Sequence, residues 1–166
     1  MTLKKLLSHL IFRPRYQTNS IIKQFAKGIQ NKHILEIGTG AESISALKYF
    51  SYSNTFIQSD IWPGFNQIDV LDMKQFEVFD IIICANVLEH VYDYKKAIHN
   101  IHKALKPNGT LLLISPFGYP IHDSPFDFFR FSRYALLNML VDFREVRIEE
   151  KGIKSFPVVY GVVAVK

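Results

Sequence analysis

The chain has 166 residues, 48% of them hydrophobic and 21% charged, with a formal net charge of +5. A chain of this length is typical of one domain with a single core, and this composition excludes an intrinsically disordered protein. Its single cysteine, Cys84, cannot form an internal disulfide, and no apolar segment reaches the roughly 20 residues that cross a bilayer. The sequence therefore predicts a cytoplasmic protein.

The basic residues are concentrated at the N-terminal end. Residues 1–32 contain seven Lys or Arg and no Asp or Glu. Apolar residues recur there at helical spacing and predict helices over Leu3–Phe12 and Thr18–Lys27. We assign residues 1–31 as a basic helical segment of the same domain and residues 32–166 as its core. The segment either packs on the domain with its lysines in solvent, which we favour, or rests on an anionic membrane surface or steers an acidic substrate.

Short apolar segments alternate with helical patterns beyond Lys32, as in a β-α-β-α chain. Seven strands are predicted, over His33–Ile37, Thr55–Ser59, Gln67–Asp69, Phe79–Cys84, Thr110–Ser115, Phe143–Glu150 and Val158–Val165. Three helices are predicted between them, over Ser43–Phe50, Tyr94–Leu105 and, capped by Ser132, Arg133–Val141. This order predicts an α/β fold with a single doubly wound, Rossmann-like sheet, mostly parallel with its last strand antiparallel, and helices on both faces.

The turn after the first predicted strand carries the first candidate ligand-binding residues. Glu36, Gly38 and Gly40 form E-x-G-x-G, in which glycine permits positive φ and a close approach of the backbone to a ligand. Asp60 follows Gly40 by twenty residues, at the end of the second strand, where a carboxylate accepts hydrogen bonds from ribose hydroxyls. Ser43 stands where a dinucleotide-binding loop has its third glycine, and Glu36 favours a positively charged ligand, so a nicotinamide oxidoreductase is not favoured.

Three later segments extend this pattern: IDVLD, which contains Asp69, then FDIIICANVLEHV and LKPNGTLLLISP. Together with Glu36-x-Gly38-x-Gly40 and Asp60, they resemble the small, type 11-like members of the class I S-adenosylmethionine-dependent methyltransferases over residues 32–130. The resemblance implies S-adenosylmethionine as cofactor and S-adenosylhomocysteine as product. The cofactor-binding residues that it implies are Glu36, Gly38, Thr39, Gly40, Asp60, Ile61, Asp69, Val70, Leu71, Cys84, Ala85 and Asn86.

The same resemblance assigns these residues to parts of the cofactor. The turn from Glu36 to Gly40 would face the methionine part, Asp60 the ribose, and residues 69–71 the adenine. The backbone of residues 84–86 would border the sulfonium. Glu42 departs from the pattern, because many members of the family have glycine at that position.

The segment from Pro116 to Leu137 combines five phenylalanines with several ionisable residues. The resemblance places it beside the methyl group, where aromatic side chains exclude water and a few polar groups orient the acceptor. His122 is predicted to be a general base, since the pKa of an unperturbed histidine lies near neutral pH. The predicted acceptor-binding residues are His90, Tyr119, Asp127 and Arg130.

Structural roles are equally open for this segment. Ser124 and Pro125 have the residue types of a helix N-cap and first helical position, and a short helix would pair Asp127 with Arg130 on one face. His122 is then a structural histidine. The segment also resembles the P-x-x-x-P-I-H-x-x-P-x-D-x-x-R-F-S/T pattern of a subset of these methyltransferases.

These features predict a methyltransferase that acts on a small-molecule acceptor or on a glycan or lipid-linked one. A non-catalytic cofactor-binding or interaction module with the same fold is the alternative, which Glu42 and the short chain favour. A nucleic-acid acceptor is not favoured, because residues 84–87 lack a D/N-P-P-Y-type tetrad. No metal is expected, because His99 and His102, three residues apart on a helix, lack a third ligand.

Overall fold

The computed structural model describes residues 14–40 and 45–166. The predicted helix over Leu3–Phe12 lies outside these residues. The described helices are α1 (Pro14–Phe25), α2 (Tyr94–Ala104) and α3 (Arg133–Met139), and the strands are β1 (His33–Ile37), β2 (Thr55–Ser59), β3 (Phe79–Ala85), β4 (Leu105–Pro116), β5 (Glu145–Ile153) and β6 (Phe156–Val165). Short 3-10 turns follow β1 at Ala46–Tyr49 and β3 at Leu88–His90. None of the helices described is long and apolar enough to cross a membrane.

The described strands form one sheet in the order β2-β1-β3-β4-β6-β5. β1 pairs in parallel with β2 and β3, and β3 pairs in parallel with β4. β6 is antiparallel to both of its neighbours, β4 and β5. The predicted Rossmann-like sheet, mostly parallel with an antiparallel last strand, is confirmed.

Side chains from alternate positions of the central strands form two cores, one on each face of the sheet. On one face, Leu35, Ile82 and Leu113 pack among buried residues of α2 and α3. On the other face, Ile34 and Ile83 pack among buried residues of α1. Because helices cover both faces, the central strand β3 shows no alternation of apolar and polar residues.

The predicted strand over Gln67–Asp69 is wrong. In the described residues this region forms only an isolated bridge between Ser59 and Asn66. The Ser59 hydroxyl donates to Ile68 O at 3.1 Å and accepts from Ile68 N at 3.2 Å, and the Asn66 side-chain amide donates to Gln58 O. Side chains thus satisfy backbone groups that a strand ladder would otherwise pair, and the described sheet has six strands instead of seven.

The predicted helix over Ser43–Phe50 is much shorter in the described part of the chain. It is a 3-10 turn at Ala46–Tyr49, and Ser45 caps it by accepting a hydrogen bond from Leu47 N. Residues 43 and 44 lie outside the described ranges. The Ser45 hydroxyl and the first N–H of the turn donate to Glu36, so the segment is held to the end of β1.

Candidate active site

The carboxyl ends of the parallel strands β1 to β4 lie at one edge of the sheet, on either side of the position between β1 and β3 where the strand order reverses. Ligands of doubly wound folds bind at this edge. The loops that leave it start after Ile37, Ser59, Ala85 and Pro116. Nearly all the predicted site residues lie on these loops or at the last positions of the strands.

Glu36 lies near the end of β1 and is only 5% exposed. Its Oε1 accepts a hydrogen bond from Ala46 N at 2.7 Å, and its Oε2 accepts from Ser45 Oγ at 2.5 Å and from Thr39 Oγ1 at 3.4 Å. Burial raises the pKa of Glu36, although these donors oppose the rise. Glu36 therefore holds the turn after β1 in shape, and direct contact of its carboxylate with a cofactor stays a prediction.

The glycine loop, Gly38–Gly40, has left-handed backbone at both glycines, with φ of 68° at Gly38 and 64° at Gly40. A Cβ added to Gly38 would lie 2.4 Å from Val87 Cγ2, so the loop passes close to the chain that follows β3. Both features require glycine at position 38. Gly38 is exposed, and the approach of a ligand to the backbone of the loop stays a prediction.

Asp60 joins the glycine loop to the end of β2. It is 6% exposed, and its Oδ2 accepts a hydrogen bond from Gly40 N at 2.7 Å while its Oδ1 accepts from Trp62 N at 3.2 Å. A carboxylate accepts about four hydrogen bonds, so Asp60 retains capacity for ligand hydroxyls. Ile61, beside it, is 68% exposed and offers an apolar surface at the same edge.

The residues predicted to contact adenine lie in a turn beyond β2. Asp69 is exposed, and its Oδ1 accepts from Leu71 N at 2.8 Å while its backbone carbonyl accepts from Asp72 N. Val70 is buried in the core that contains α2, and its carbonyl accepts from Asn100 Nδ2. Asp69 and Leu71 are therefore accessible to a ligand, whereas Val70 packs in the core beneath them.

The end of β3 carries Cys84, Ala85 and Asn86. Cys84 is fully buried, and desolvation raises the pKa of its thiol, so it is a core residue. Asn86 has a φ of 55°, its N–H donates to Ile114 O at 2.9 Å, and its Nδ2 donates to Thr18 Oγ1 at 3.4 Å. Asn86 Oδ1 is buried and accepts no hydrogen bond from the described residues. The contact with Thr18 brings α1 to the edge of the site, which no sequence pattern indicated.

The predicted short helix that starts at Ser124 and Pro125 is wrong. The segment that follows them is not helical. Phe128 N and Phe129 N donate instead to the backbone carbonyl of Glu89, at 2.8 and 3.3 Å. The acceptor loop, residues 117–132, is therefore fixed by contacts to the chain after β3 and not by helical hydrogen bonds.

Asp127 and Arg130 form a two-pronged ion pair inside the acceptor loop. Arg130 Nη1 donates to Asp127 Oδ1 at 2.5 Å and to Phe129 O, and Nη2 donates to Asp127 Oδ2 at 2.7 Å and to Pro120 O. Arg130 Nε donates to Tyr119 O at 3.1 Å. All five N–H groups of the guanidinium thus have partners within the loop. This geometry favours the structural interpretation of the pair, and acceptor binding by Arg130 stays a prediction.

His122 and His90 meet between the two loops. Their ring centroids are 4.8 Å apart, and the ring of Tyr119 lies 5.0 Å from that of His122. His122 Nδ1 is 3.1 Å from Asp127 Oδ2, and His90 Nδ1 is 2.8 Å from Phe126 O. The structure therefore brings His122 and the predicted acceptor-binding residues into one cluster, although His90 lies more than thirty residues away in the chain.

Sequence reasoning assigned no role to Glu89, which precedes the predicted acceptor-binding residue His90. The 3-10 turn at Leu88–His90 directs Glu89 inward, and the side chain is 0% exposed. Neither carboxylate oxygen accepts a hydrogen bond from the described residues. Burial raises the pKa of Glu89 to about 8. Its Oε1 lies 3.9 Å from His90 Nε2, so a dry carboxyl group adjoins the histidine cluster.

Comparison with known families gives one match over most of the chain. A family model described as "Methyltransferase domain" matches residues 9–144. The ubiquinone biosynthesis O-methyltransferase of Histophilus somni is 30% identical, over 60% of this chain and 53% of that protein. A protein of the same name from Rickettsia typhi is 25% identical, over 55% of this chain and 44% of that protein. The chain thus spans about half the length of these curated relatives.

Solved structures share the fold at low sequence identity. A SAM-dependent methyltransferase from Aquifex aeolicus has a TM-score of 0.71 and 17% identity, with 97% of this chain and 95% of that chain covered. One from Archaeoglobus fulgidus has a TM-score of 0.70 and 15% identity, with 99% and 100% covered. The Burkholderia thailandensis 1,6-didemethyltoxoflavin-N1-methyltransferase, solved with 1,6-didemethyltoxoflavin and S-adenosylhomocysteine bound, has a TM-score of 0.70 and 15% identity, with 93% and 79% covered.

Proposed function

Because the chain belongs to the methyltransferase-domain family, whose fold is that of the class I S-adenosylmethionine-dependent enzymes, we propose that it transfers a methyl group from S-adenosylmethionine to a small acceptor. The observation that supports the proposal is the position and hydrogen bonding of Asp60. Its buried carboxylate ends β2, is fixed by Gly40 N and Trp62 N, and retains capacity to accept further hydrogen bonds.

The residues at this edge fit S-adenosylmethionine. Asp60 suits the ribose hydroxyls, and the left-handed glycine loop lets a ligand approach the backbone. Asn86 Oδ1 is a buried acceptor without a partner in the described residues, which suits an N–H donor of the ligand. Asp69 and Leu71 offer surface to the adenine at the far end of the same edge.

When bound, the cofactor supplies an electrophilic methyl group on a sulfonium, which an acceptor attacks in line. The chain's own residues have to hold the acceptor and keep water away. Ring contacts join Tyr92 and Tyr94, which follow β3 in the chain, to Phe128 and Phe129 of the acceptor loop. At His122, Nδ1 is hydrogen-bonded to Pro120 O at 3.3 Å and lies 3.1 Å from Asp127 Oδ2, so Nε2 is the ring nitrogen that is left to take a proton or to bind a ligand.

A small-molecule acceptor, or a glycan or lipid-linked one, is the class we propose. The names of two relatives support the first, since one protein is a ubiquinone biosynthesis O-methyltransferase and another was solved with 1,6-didemethyltoxoflavin. Localisation in the cytoplasm and contact of the basic N-terminal segment with a membrane stay proposals, and residues 1–13 lie outside the described chain.

The test is calorimetric titration of S-adenosylhomocysteine into the wild-type chain and into Asp60→Ala. We expect the variant to bind at least about tenfold more weakly, since ribose hydrogen bonds to a charged group are lost. Asp72→Ala is the matched control, because Asp72 is an exposed carboxylate paired with Lys74 in the same stretch of chain. Its affinity should equal that of the wild type.

Equal affinity of the Asp60→Ala and Asp72→Ala variants would overturn the placement of the ribose. Melting curves of both variants separate a lost contact from a lost fold. Wild-type binding of S-adenosylhomocysteine without turnover across a panel of hydroxyl and amine acceptors would favour the non-catalytic module instead.

A further inference from the structure

Three side chains with metal-binding atoms converge where the turn after β3 meets the acceptor loop. One atom each from Glu89, His90 and His122 lies within 4.8 Å of the other two. Metal–ligand bonds of roughly 2.0 to 2.2 Å put neighbouring ligand atoms roughly 3 to 3.5 Å apart. Side-chain rotations that move these atoms by about 1 Å would bring all three into contact with one ion.

Each histidine of this cluster is already held by its other ring nitrogen. His90 Nδ1 is hydrogen-bonded to the carbonyl oxygen of Phe126 at 2.8 Å. His122 Nδ1 is hydrogen-bonded to the carbonyl oxygen of Pro120 at 3.3 Å and lies 3.1 Å from Asp127 Oδ2. Metal-binding histidines usually donate their second N–H to a carbonyl or a carboxylate, which fixes the tautomer and the ring orientation. Both rings therefore present Nε2 as the ligand atom.

Glu89 gives an independent indication that something binds here. Its side chain is 0% exposed, and neither oxygen accepts a hydrogen bond from the described residues. Buried carboxylates are paired, hydrogen-bonded or bound to metals in nearly all proteins. A bound cation would give the Glu89 carboxylate the partner that the described residues do not provide.

We propose that Glu89, His90 and His122 form a binding site for a divalent first-row transition-metal cation. Two imidazoles and one carboxylate suit Zn²⁺, Mn²⁺ or Fe²⁺ better than Ca²⁺ or Mg²⁺, which prefer oxygen ligands alone. Three protein ligands leave at least one coordination position open. The expectation that this protein needs no metal rested on His99 and His102, and the proposed site consists of other residues.

The open position gives the ion a role at the acceptor end, and this role rests on the proposed function. An acceptor oxygen bound there would be oriented toward the methyl group, and the cation would favour loss of its proton to solvent. The oxygen would then take the methyl group from the sulfonium, with S-adenosylhomocysteine as the leaving group. His122 would then act as a metal ligand and not as the general base. Such a site favours acceptors that attack through oxygen.

The test uses Co²⁺ as a spectroscopic probe on the chelator-treated full chain. We expect wild-type protein to bind one Co²⁺ with visible absorption bands of a low-coordinate site, and Zn²⁺ to compete. Glu89→Gln, His90→Gln and His122→Ala should each lower the affinity for Co²⁺ by about a hundredfold or more. Loss of a metal ligand costs more than the tenfold to hundredfold effect of removing a residue that only hydrogen-bonds to a ligand. His99→Ala is the matched control, because His99 is exposed on α2.

Absence of the bands at a large excess of Co²⁺ would overturn the proposal, and so would equal binding by Glu89→Gln and His99→Ala. Melting curves and titration with S-adenosylhomocysteine on the same samples show whether each variant is folded. Protein that binds S-adenosylhomocysteine but no Co²⁺ refutes the metal site alone. Protein that binds Co²⁺ but no S-adenosylhomocysteine refutes the proposed function alone.

Discussion

Two buried glutamates lie at the two halves of the candidate site, and their surroundings differ. Glu36, beside the glycine loop, accepts hydrogen bonds from Ser45, Ala46 and Thr39. Glu89, beside the acceptor loop, accepts none from the described residues. Burial raises the pKa of both carboxyls, but hydrogen bonds from other residues oppose the rise only at Glu36.

The buried carboxylate beside the glycine loop has all its hydrogen-bond donors within the protein, whereas the one beside the acceptor loop lacks donors from other described residues. The chain itself completes the environment of Glu36, so the glycine loop is shaped before any ligand arrives. A buried polar group without a partner costs about 1 to 3 kcal/mol, and Glu89 carries such a cost in the free protein. We therefore expect substitutions at Glu36 to reduce stability, and those at Glu89 to affect ligand binding.

The largest expected effect on stability is that of Glu36→Ala. It leaves Ala46 N and the Ser45 hydroxyl without their buried acceptor, so the free energy of unfolding should fall by about 3 kcal/mol. Urea unfolding followed by circular dichroism measures the change. Asp72→Ala, at an exposed carboxylate, should change it by less than about 0.5 kcal/mol. A loss below about 1 kcal/mol at Glu36 would remove the contrast with Glu89.

Arg130→Lys is expected to have the next largest effect. Lysine keeps the charge but loses the planar fork that holds Asp127, whose side chain is 1% exposed, so we expect a loss of about 2 kcal/mol. Arg147→Lys is the control, since that arginine is 83% exposed and its pair with Glu145 is on the surface. If both substitutions are neutral in urea unfolding, Arg130 does not hold the acceptor loop and becomes available to an acceptor.

The same ion pair predicts a dependence on pH. Hydrogen bonds from Arg130 hold the pKa of Asp127 below its ordinary value of 3.8. A depressed carboxyl pKa adds stability above the unfolded-state value and loses it as pH falls through that value toward the folded one. Unfolding free energies of wild type and Asp127→Asn should therefore differ most near neutral pH and converge below about pH 4. A constant difference down to acid pH would contradict this account.

Glu89→Met should have the smallest effect on stability and the opposite sign. Methionine fills a similar volume without a polar group to desolvate, so the metal-free variant should be more stable than the wild type by about 1 kcal/mol. Thermal unfolding after chelator treatment measures the gain, and Glu89→Ala shows how much of it depends on filling the space. A clear loss of stability in Glu89→Met would mean that Glu89 has a partner in the free protein, and the comparison with Glu36 would fail.

That Glu36, the glycine loop and Asp60 lie together was predictable from sequence because the signals are local. The pattern from Glu36 to Gly40, with Asp60 twenty residues later, depends on two short segments whose strands pair directly. The strand over Gln67–Asp69 was predicted wrongly because one hydroxyl, that of Ser59, satisfies the backbone of Ile68 in place of a ladder. Residue propensities for strands do not reveal that a side-chain hydroxyl will take the place of the backbone groups of a neighbouring strand.

The role of Glu89 was not predictable for a different reason. Its burial depends on the acceptor loop, whose Phe128 and Phe129 N–H groups bond to the Glu89 carbonyl across almost forty residues. The same bonds prevent the helix that Ser124 and Pro125 predicted. The local sequence around Glu89 gives no signal of burial, and only the packing of two distant loops removes its side chain from water.

The position of β6 between β4 and β5 has a consequence for how this sheet is assembled. β5 is made first but has no partner in the described sheet until β6 follows it. Until then the edge of β4, a strand with fully buried Leu111, Leu112 and Leu113, lacks its antiparallel neighbour. An unpaired apolar edge is a template for association between chains, and closure over the fifty-five residues from Thr110 to its partner Val165 is slow compared with local contacts. Nascent chains that have not yet exposed β6 would therefore be the species most dependent on chaperones during synthesis.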